Sequence, residues 1–447
     1  MTPGARIKAV IDLLDCMEND GAPVDRLIST YFRSRRYAGS KDRKMITGQV
    51  YDILRARAAL DWWIVQTKGE ESVGEGPVTS RERVLAALLI INDETVEAVT
   101  DLFKVGGTYG PVPLDEGEST LVEALSGKSL LDPAQTPDVR ANYPAWLTPS
   151  LSRVFGEQLE AEMSALNTRA TLDLRVNMLK PSADHVKDVL AAQGVETLPT
   201  TISPWGLRSL GHQRIDHLKA MQDGLVEVQD EGSQIIALLV GAKSGMRVVD
   251  YCAGGGGKTL ALAAAMENKG YIFALDTSEK RLSGLPPRLK RARAHNVELQ
   301  VLSEKDNLWE QAHEGEFDRV LVDAPCSGLG AWRRNPGARW RLTMQDIEQH
   351  AIRQGEILER VAGLVRPGGR LVYATCSLLA EENEDVIAGF IKAHPEFSPV
   401  PVRQIWAETL GAIKGAGPCP GDGEFLLLTP AQNGTDGFFT AILERRG

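Results

Sequence analysis

From about Gly232 to Gly447, short apolar runs rich in branched residues alternate with amphipathic stretches, and that alternation leaves few folds open. Strands are predicted at Met246–Asp250, Tyr271–Asp276, Val297–Leu302, Phe317–Asp323, Arg370–Thr375, Phe425–Thr429 and Phe438–Leu443. Helices fall between the earlier strands, notably Gln345–Val365 and Glu381–Ala393. A strand that rejoins its sheet after a helix lies parallel to its predecessor, so the expected fold class is α/β, a doubly wound, Rossmann-like sheet. Ligands of such sheets bind outside the carboxyl ends of the strands. The residues that follow each strand are therefore where chemistry is sought.

Upstream the pattern changes. Residues 5 to about 130 read as helices only, with Ile7, Val10, Ile11 and Leu14 and then Val50, Ile53 and Leu54 at helical spacing. Thr67–Thr79 and Gly106–Glu118 are polar, Gly-rich loops. A proline-bearing connector, Asp132–Pro149, leads into a strand–helix–strand–helix–strand unit between Leu172 and Gln229, of the ferredoxin or RNA-recognition type. Its strands are expected at Leu172–Leu179, roughly Thr197–Leu210, and Leu225–Gln229. The chain thus divides into three expected domains: an all-α domain (1–131), a connector with the small α+β domain (132–231), and the α/β domain (232–447). A length of 447 residues is in keeping with two or three cores.

Composition narrows the class. Hydrophobic content of 43% and charged content of 25% are those of a globular protein in water. Asp12 and Asp15 interrupt the early apolar residues, and Val84–Ile91 is too short to cross a bilayer. A cytoplasmic, membrane-free, monomeric protein is expected. Five cysteines with no C-x-x-C spacing predict neither a disulfide framework nor a structural metal. A net charge of −10 argues against a general nucleic-acid coat but leaves room for a local basic groove. Candidate patches are Arg33–Lys44, overlapped by Tyr31–Tyr37, which mixes aromatics with arginines, then Arg288–Arg293, and Arg333–Arg341. For each patch alone, a solvated helix face explains the charge as well.

The run Val248-Val249-Asp250-Tyr251-Cys252-Ala253-Gly254-Gly255-Gly256-Gly257-Lys258-Thr259 reads as strand, tight turn and helix start. Two ligands compete for it. A nucleoside triphosphate fits Gly257-Lys258-Thr259 and the Walker-B-like Val320–Asp323, but a P-loop requires glycine where Cys252 stands. S-adenosylmethionine needs the loop for its amino-acid end and an acid after the next strand for its ribose; Asp276 supplies that acid. Ser303-Glu304-Lys305-Asp306 offers a further acid for the adenine amine, so three spaced elements favour S-adenosylmethionine.

Two cysteines complete the pattern. Asp323-Ala324-Pro325-Cys326 and Thr375-Cys376 each follow a predicted strand, and adjacent strand ends bring both thiols to one crevice. Either alone reads as a small apolar filler. A thiol beside a methyl donor suits methylation of cytosine C5, because thiolate addition at C6 turns an unreactive carbon into a nucleophile. Asp323 is placed to hold the base and Lys258 to supply positive charge near the thiol.

At these residues the chain resembles the RNA cytosine-5 methyltransferases of the Sun/Nop family, most closely the bacterial RsmB-like rRNA enzymes. The resemblance runs from about Tyr143 to Arg445. It is carried by Leu174-Arg-Val-Asn177-Met-Leu-Lys180, Val228-Gln229-Asp230-Glu-Gly-Ser233-Gln234, the 250–259 loop, the two cysteine motifs and Asp436-Gly-Phe-Phe. It implies a class I methyltransferase domain, an RNA-recognition-like accessory domain, a NusB-like helical domain, S-adenosylmethionine as cofactor and ribosomal RNA, of the small subunit, as partner. It also implies Cys376 as nucleophile, Cys326 as the residue that aids product release, and Asp323 and Lys258 beside them. Cofactor contacts fall to Cys252, Ala253, Gly254, Gly255, Gly256, Gly257, Lys258, Asp276, Arg281, Asp306 and Asp323. RNA contacts fall to Arg175, Asn177, Lys180, Arg333 and Arg334. One departure stands out: the family loop reads Ala-Ala-Pro-Gly-Gly-Lys-Thr, whereas this chain runs Ala253 and then four glycines, which frees a dihedral that proline would fix. A P-loop ATPase and a non-catalytic RNA-binding assembly factor are the competing expectations.

Overall fold

The computed structural model describes the chain except for residues 69–76, 105–108, 181–182 and 212–213. Most of the expected 67–79 loop, and the first three residues of the 106–118 loop, lie outside the described residues. Two compact units form: one gathers Met1–Thr168 with Trp332–Leu342, the other Arg169–Ala331 with Thr343–Gly447. Among the described residues no helix is long and apolar enough to cross a membrane.

The first unit is helical throughout its described residues. Its long helix, Ser40–Lys68, buries Ile46, Val50, Ile53, Leu54, Leu60 and Ile64, a three- and four-residue spacing that keeps one face on the core. Capping boxes start two of its partners. The Thr79 hydroxyl accepts from the Glu82 amide and the Glu82 carboxylate accepts from the Thr79 amide at 2.8 Å, and Asp115 and Glu118 repeat the exchange.

Residues Trp332–Leu342 belong to this helical core, and that corrects one expectation. Arg333 is buried and its carbonyl accepts from Arg55, so it is not an RNA-facing side chain; Arg334 is half-exposed. Arg339, 1% exposed, donates to the carbonyl of Asn142 at 2.6 Å and of Leu166 at 3.3 Å. Burial, and then the neighbouring Arg55 charge, pull its pKa down to about 9. The sequence shows a basic patch here; the structure shows arginines capping helix carbonyls.

The second unit holds two sheets. The smaller contains β1 (Asp173–Val176), β2 (Thr197–Pro199), β3 (Gly206–Ser209) and β4 (Val226–Val228), in the antiparallel order β2-β3-β1-β4. The single strand expected over 197–210 is two, because Pro204 carries no ladder donor and the chain turns between Thr200 and Gly206. The larger sheet has eight strands: β5 (Arg247–Asp250), β6 (Tyr271–Asp276), β7 (Val297–Val301), β8 (Phe317–Asp323), β9 (Val365–Thr375), β10 (Phe397–Pro399), β11 (Leu426–Leu428) and β12 (Phe438–Arg445). Its order is β10-β12-β9-β8-β5-β6-β7, with β11 on β12. Strands β5 to β9 pair in parallel, whereas β12 joins β9 antiparallel. The carboxyl ends of β5, β6, β8 and β9 therefore open on one edge, as the alternation predicts.

That edge is tied together where two glycines meet. Gly330 donates to the Cys376 carbonyl at 2.8 Å, and Gly437 donates to the Gly330 carbonyl at 2.8 Å. A Cβ on Gly330 would lie 2.1 Å from the Gly437 oxygen, so only glycine allows the crossing. Gly389, in the exposed face of the helix Glu384–Ala393, has nothing within 4 Å of such a Cβ. Gly330→Ala is expected to destabilise the protein by about 2 kcal/mol or more. Gly389→Ala is expected to stabilise it by roughly 0.5–1 kcal/mol, both read from denaturant unfolding.

Candidate active site

The Gly-rich turn leaves β5 with Asp250 fully buried beneath it. The Thr259 hydroxyl donates to Asp250 Oδ2 at 2.6 Å, while Oδ1 is buried with no hydrogen-bond partner. Burial, opposed by that hydroxyl and reinforced by the Asp323 and Asp276 charges, raises the Asp250 pKa to about 6. Above Asp250, Gly254 and Gly256 adopt φ of +54° and +77°, which a side chain would resist. Gly256 is not part of the cleft wall; a Cβ there would strike Leu285, so its place in the expected cofactor set gives way to a packing role.

Four successive glycines have little intrinsic stiffness, and side chains from other elements hold the turn. The Gly254 amide donates to Asp276 Oδ2 at 2.9 Å. Arg288 donates to the Gly255 carbonyl and pairs with Glu227 at 2.9 Å; Arg291 pairs with the same carboxylate. Arg175 donates to the Gly257 carbonyl at 2.5 Å and to Gln229.

This overturns the RNA contacts expected of the accessory sheet. Arg175 is 2% exposed, and burial lowers its pKa to about 10. Asn177 is buried and donates to the carbonyls of Gly224 at 2.9 Å and Ala292 at 2.8 Å. The half-exposed Lys180 gives its ammonium to the carbonyls of Arg291, at 2.9 Å, and Asp223. These three residues fasten the end of β1 to the helix Leu285–Ala292 and to the cofactor turn; they do not present a free surface to RNA.

The turn lines a cleft of about 1180 Å³, with Cys252, Ala253, Gly254, Gly255, Gly257, Lys258, Asp276, Arg281 and Asp323 in its wall. The expected Asp306 is not among the lining residues. Its carboxylate accepts from Ser303 at 2.9 Å, and Glu304, paired with Arg353 at 3.2 Å, lines the cleft instead. Arg288, Glu304, Arg353 and Glu356 were not singled out as cleft residues from sequence, because a charged residue on a helix or loop carries no mark of which way it faces. Cys252 is a wall residue with an unreactive thiol: burial first, then the Asp323, Asp250 and Asp276 charges, push its pKa well up.

The cleft suits a ligand with an amino-acid end and a diol-bearing sugar. The glycine turn allows close backbone approach, the orphaned Asp250 oxygen lies below it, and Asp276 ends the next strand. S-adenosylmethionine has both features, so the residues present fit it. At the far side, Lys258 Nζ contacts Asp323 Oδ2 at 2.7 Å. Burial alone would lower the lysine pKa, but the carboxylate overrides it and holds it above the ordinary value. Beyond Asp323 and Pro325, the Cys326 and Cys376 sulfurs lie 3.4 Å apart. The two thiols expected to meet do meet.

A family model described as 16S rRNA methyltransferase RsmB/F matches residues 237–444, and one described as the RsmF/B-like ferredoxin-like domain matches 143–215. The ribosomal RNA small subunit methyltransferase B of Yersinia pseudotuberculosis is 30% identical over 406 residues, covering 87% of this chain and 89% of that one. Among solved structures, PH0851 is 28% identical with a TM-score of 0.77, covering 100% of this chain and 99% of its own. NSun6 from Pyrococcus horikoshii with SFG is 22% identical with a TM-score of 0.60, covering 69% of this chain and 100% of its own, and shows likeness of fold.

Two outcomes are expected of this site. Arg288→Ala releases the Gly255 carbonyl, and calorimetric titration should find S-adenosylmethionine bound about tenfold more weakly, the worth of one charge-assisted hydrogen bond. For Asp250, the native state keeps a proton between pH 4 and pH 6 that the unfolded chain has lost. Its contribution to stability is present below the unfolded pKa and falls by about 3 kcal/mol as pH rises through 6. Asp250→Asn should flatten that slope in thermal unfolding measured from pH 4 to pH 7.

Proposed function

The chain belongs to the RsmB/F family of 16S rRNA methyltransferases, and on that footing we propose that it methylates cytosine C5 in small-subunit rRNA through a covalent cysteine–C6 adduct. S-adenosylmethionine, when bound, supplies an electrophilic methyl carbon. Its amino-acid end would lie over the 253–257 turn and its ribose at Asp276. The observation that carries the reading is the contact between two sulfurs beside the Lys258–Asp323 pair, at the edge of the cofactor cleft. A P-loop ATPase has no use for such a pair and lacks glycine at Cys252. A non-catalytic assembly factor has no use for it either.

In the proposed sequence, the Cys376 thiolate forms a bond to C6, and the electron pair displaced through the ring makes C5 the nucleophile that would take the methyl group, the donor sulfur leaving as a neutral thioether. Asp323, held by Lys258, accepts from the exocyclic amine of the base. C5 then gives its proton to solvent, the freed electron pair re-forms the C5–C6 double bond, the S–C6 bond breaks, and Cys376 leaves as thiolate. Cys326 suits the closing steps. Its contact with Cys376 and its burial raise its pKa above the ordinary thiol value, which favours the protonated form at that position. In the helical unit, Arg35 lies 3.7 Å over the Tyr31 ring and Tyr37 is 64% exposed, an arrangement that supports rRNA contact there.

Cys326→Ala is expected to accumulate an RNA adduct that survives denaturing electrophoresis, whereas Cys376→Ala forms none. The reverse pattern returns the nucleophile's role to Cys326. Bisulfite mapping of rRNA from a deletion strain should find a single cytosine without its methyl group; an unchanged map sinks the reading.

A further inference from the structure

Each of the two cysteines is followed by a serine, and one buried carboxylate holds both. Glu382, 0% exposed, ends a short 3₁₀ turn after β9. Its Oε1 accepts from the Ser327 amide at 2.8 Å, and its Oε2 accepts from the Ser327 and Ser377 hydroxyls. Gln354, also fully buried, donates to Glu382 Oε1 at 3.3 Å and to the Pro325 carbonyl at 2.9 Å. The Tyr373 hydroxyl donates to the Glu382 carbonyl at 2.5 Å, and Thr375 meets Asn383 at 2.6 Å. A carboxylate this buried is costly unless its partners are fixed, and here the fixed partners are the residues next to the two thiols.

We infer that Glu382 is the positioning residue of the thiol pair: by gripping Ser327 and Ser377 with one carboxylate, it sets the distance between the attacking and the releasing cysteine. This rests on the proposed covalent mechanism, which needs the two sulfurs to act on one base in succession. Strand pairing alone does not fix that distance, since both cysteines lie beyond the last paired residues, Asp323 and Ala374. Glu382 also adds negative charge beside Cys326, which helps to keep that thiol protonated. Tyr373 is charge-coupled to Cys326, and Lys258 of the Lys258–Asp323 ion pair to Cys376. Glu382 touches no substrate; it acts through the serines.

The test separates placement from folding and from the RNA reading. In the full-length protein without RNA, diamide removes two electrons and two protons from a close thiol pair, and peptide mapping identifies the Cys326–Cys376 disulfide. Glu382→Asp keeps the charge but is one methylene short of spanning both serines. It should close that disulfide at least about tenfold more slowly than the native protein. With rRNA, its kcat should fall by about 100-fold with KM for RNA and S-adenosylmethionine nearly unchanged. Glu382→Gln keeps the reach and removes the charge that favours the protonated Cys326 thiol, so it should close no more slowly than the native protein. If Glu382→Asp does not fold, the Ser327→Ala/Ser377→Ala double variant leaves the carboxylate in place and should show the same slow closure. Native closure in Glu382→Asp, or in the double variant where Glu382→Asp does not fold, overturns the inference. If Cys326→Ala forms no RNA adduct, the covalent reading fails, while the closure rates still decide the role of Glu382.

Discussion

The parallel pairing of β8 with β9 is the constraint on which the site depends. Asp323 lies opposite Ala374 in that register, so the chain beyond each strand begins at the same level of the sheet. Three residues past Asp323 and two past Ala374 stand the cysteines, and they meet across that edge. A slip of one residue would turn every side chain of β9 to the other face and separate the sulfurs. Its neighbour β5, paired with β8 through Val248–Asp250 and Arg319–Leu321, brings the Gly-rich turn to the same edge. The Gly-rich turn, Asp323 and both thiols are thus brought to one edge by two ladders that share β8.

The site concentrates negative charge in a buried place. Asp250, Asp276, Asp323 and Glu382 surround or back the cleft, and the Lys258 ammonium pairs with Asp323 among them. Each carboxylate is satisfied differently: Asp276 by two backbone amides, Asp250 by a hydroxyl and a raised pKa, Asp323 by Lys258, Glu382 by two serines and a glutamine. That division matters because an unpaired buried carboxylate would either unfold the edge or take up a proton. It also means that Lys258 is engaged by Asp323, so any effect of its charge on Cys376 acts at longer range than a hydrogen bond.

Legibility followed burial. Strands β6 and β8 are legible to the residue because each ends in an apolar run, Tyr271–Leu275 and Val320–Val322, stopped by an acid. The thiol pair was legible for the same reason: both cysteines follow such strands. What sequence could not show was the direction of charged side chains off the strands. Arg175, Asn177, Arg333 and Arg339 read as surface chemistry and are buried ties, because a guanidinium can reach a carbonyl as well as a phosphate. Asp306 and Glu304 lie two residues apart in one loop, and only the path of that loop decides which faces the cleft. Glu382 sits in a run with Glu381, Glu384 and Asp385 that looks like a solvated helix start. The three-residue β10, ending in Pro399 on the sheet's edge, had no periodicity to betray it.

The cofactor turn shows how a local departure can be absorbed elsewhere. Replacing a fixed proline dihedral by glycine adds freedom that the native state must remove, at a cost of roughly 0.4–1 kcal/mol for one residue. Here the Gly254 amide and the Gly255 and Gly257 carbonyls are each engaged by a side chain from outside the turn. Two of those side chains, Arg175 and Arg288, tie in the small antiparallel sheet, the first as part of β1 and the second through Glu227 of β4. The order of the cofactor turn is therefore a property of both sheets of this unit. A change in the small sheet reaches the Gly-rich turn through two hydrogen bonds, those of Arg175 and Arg288.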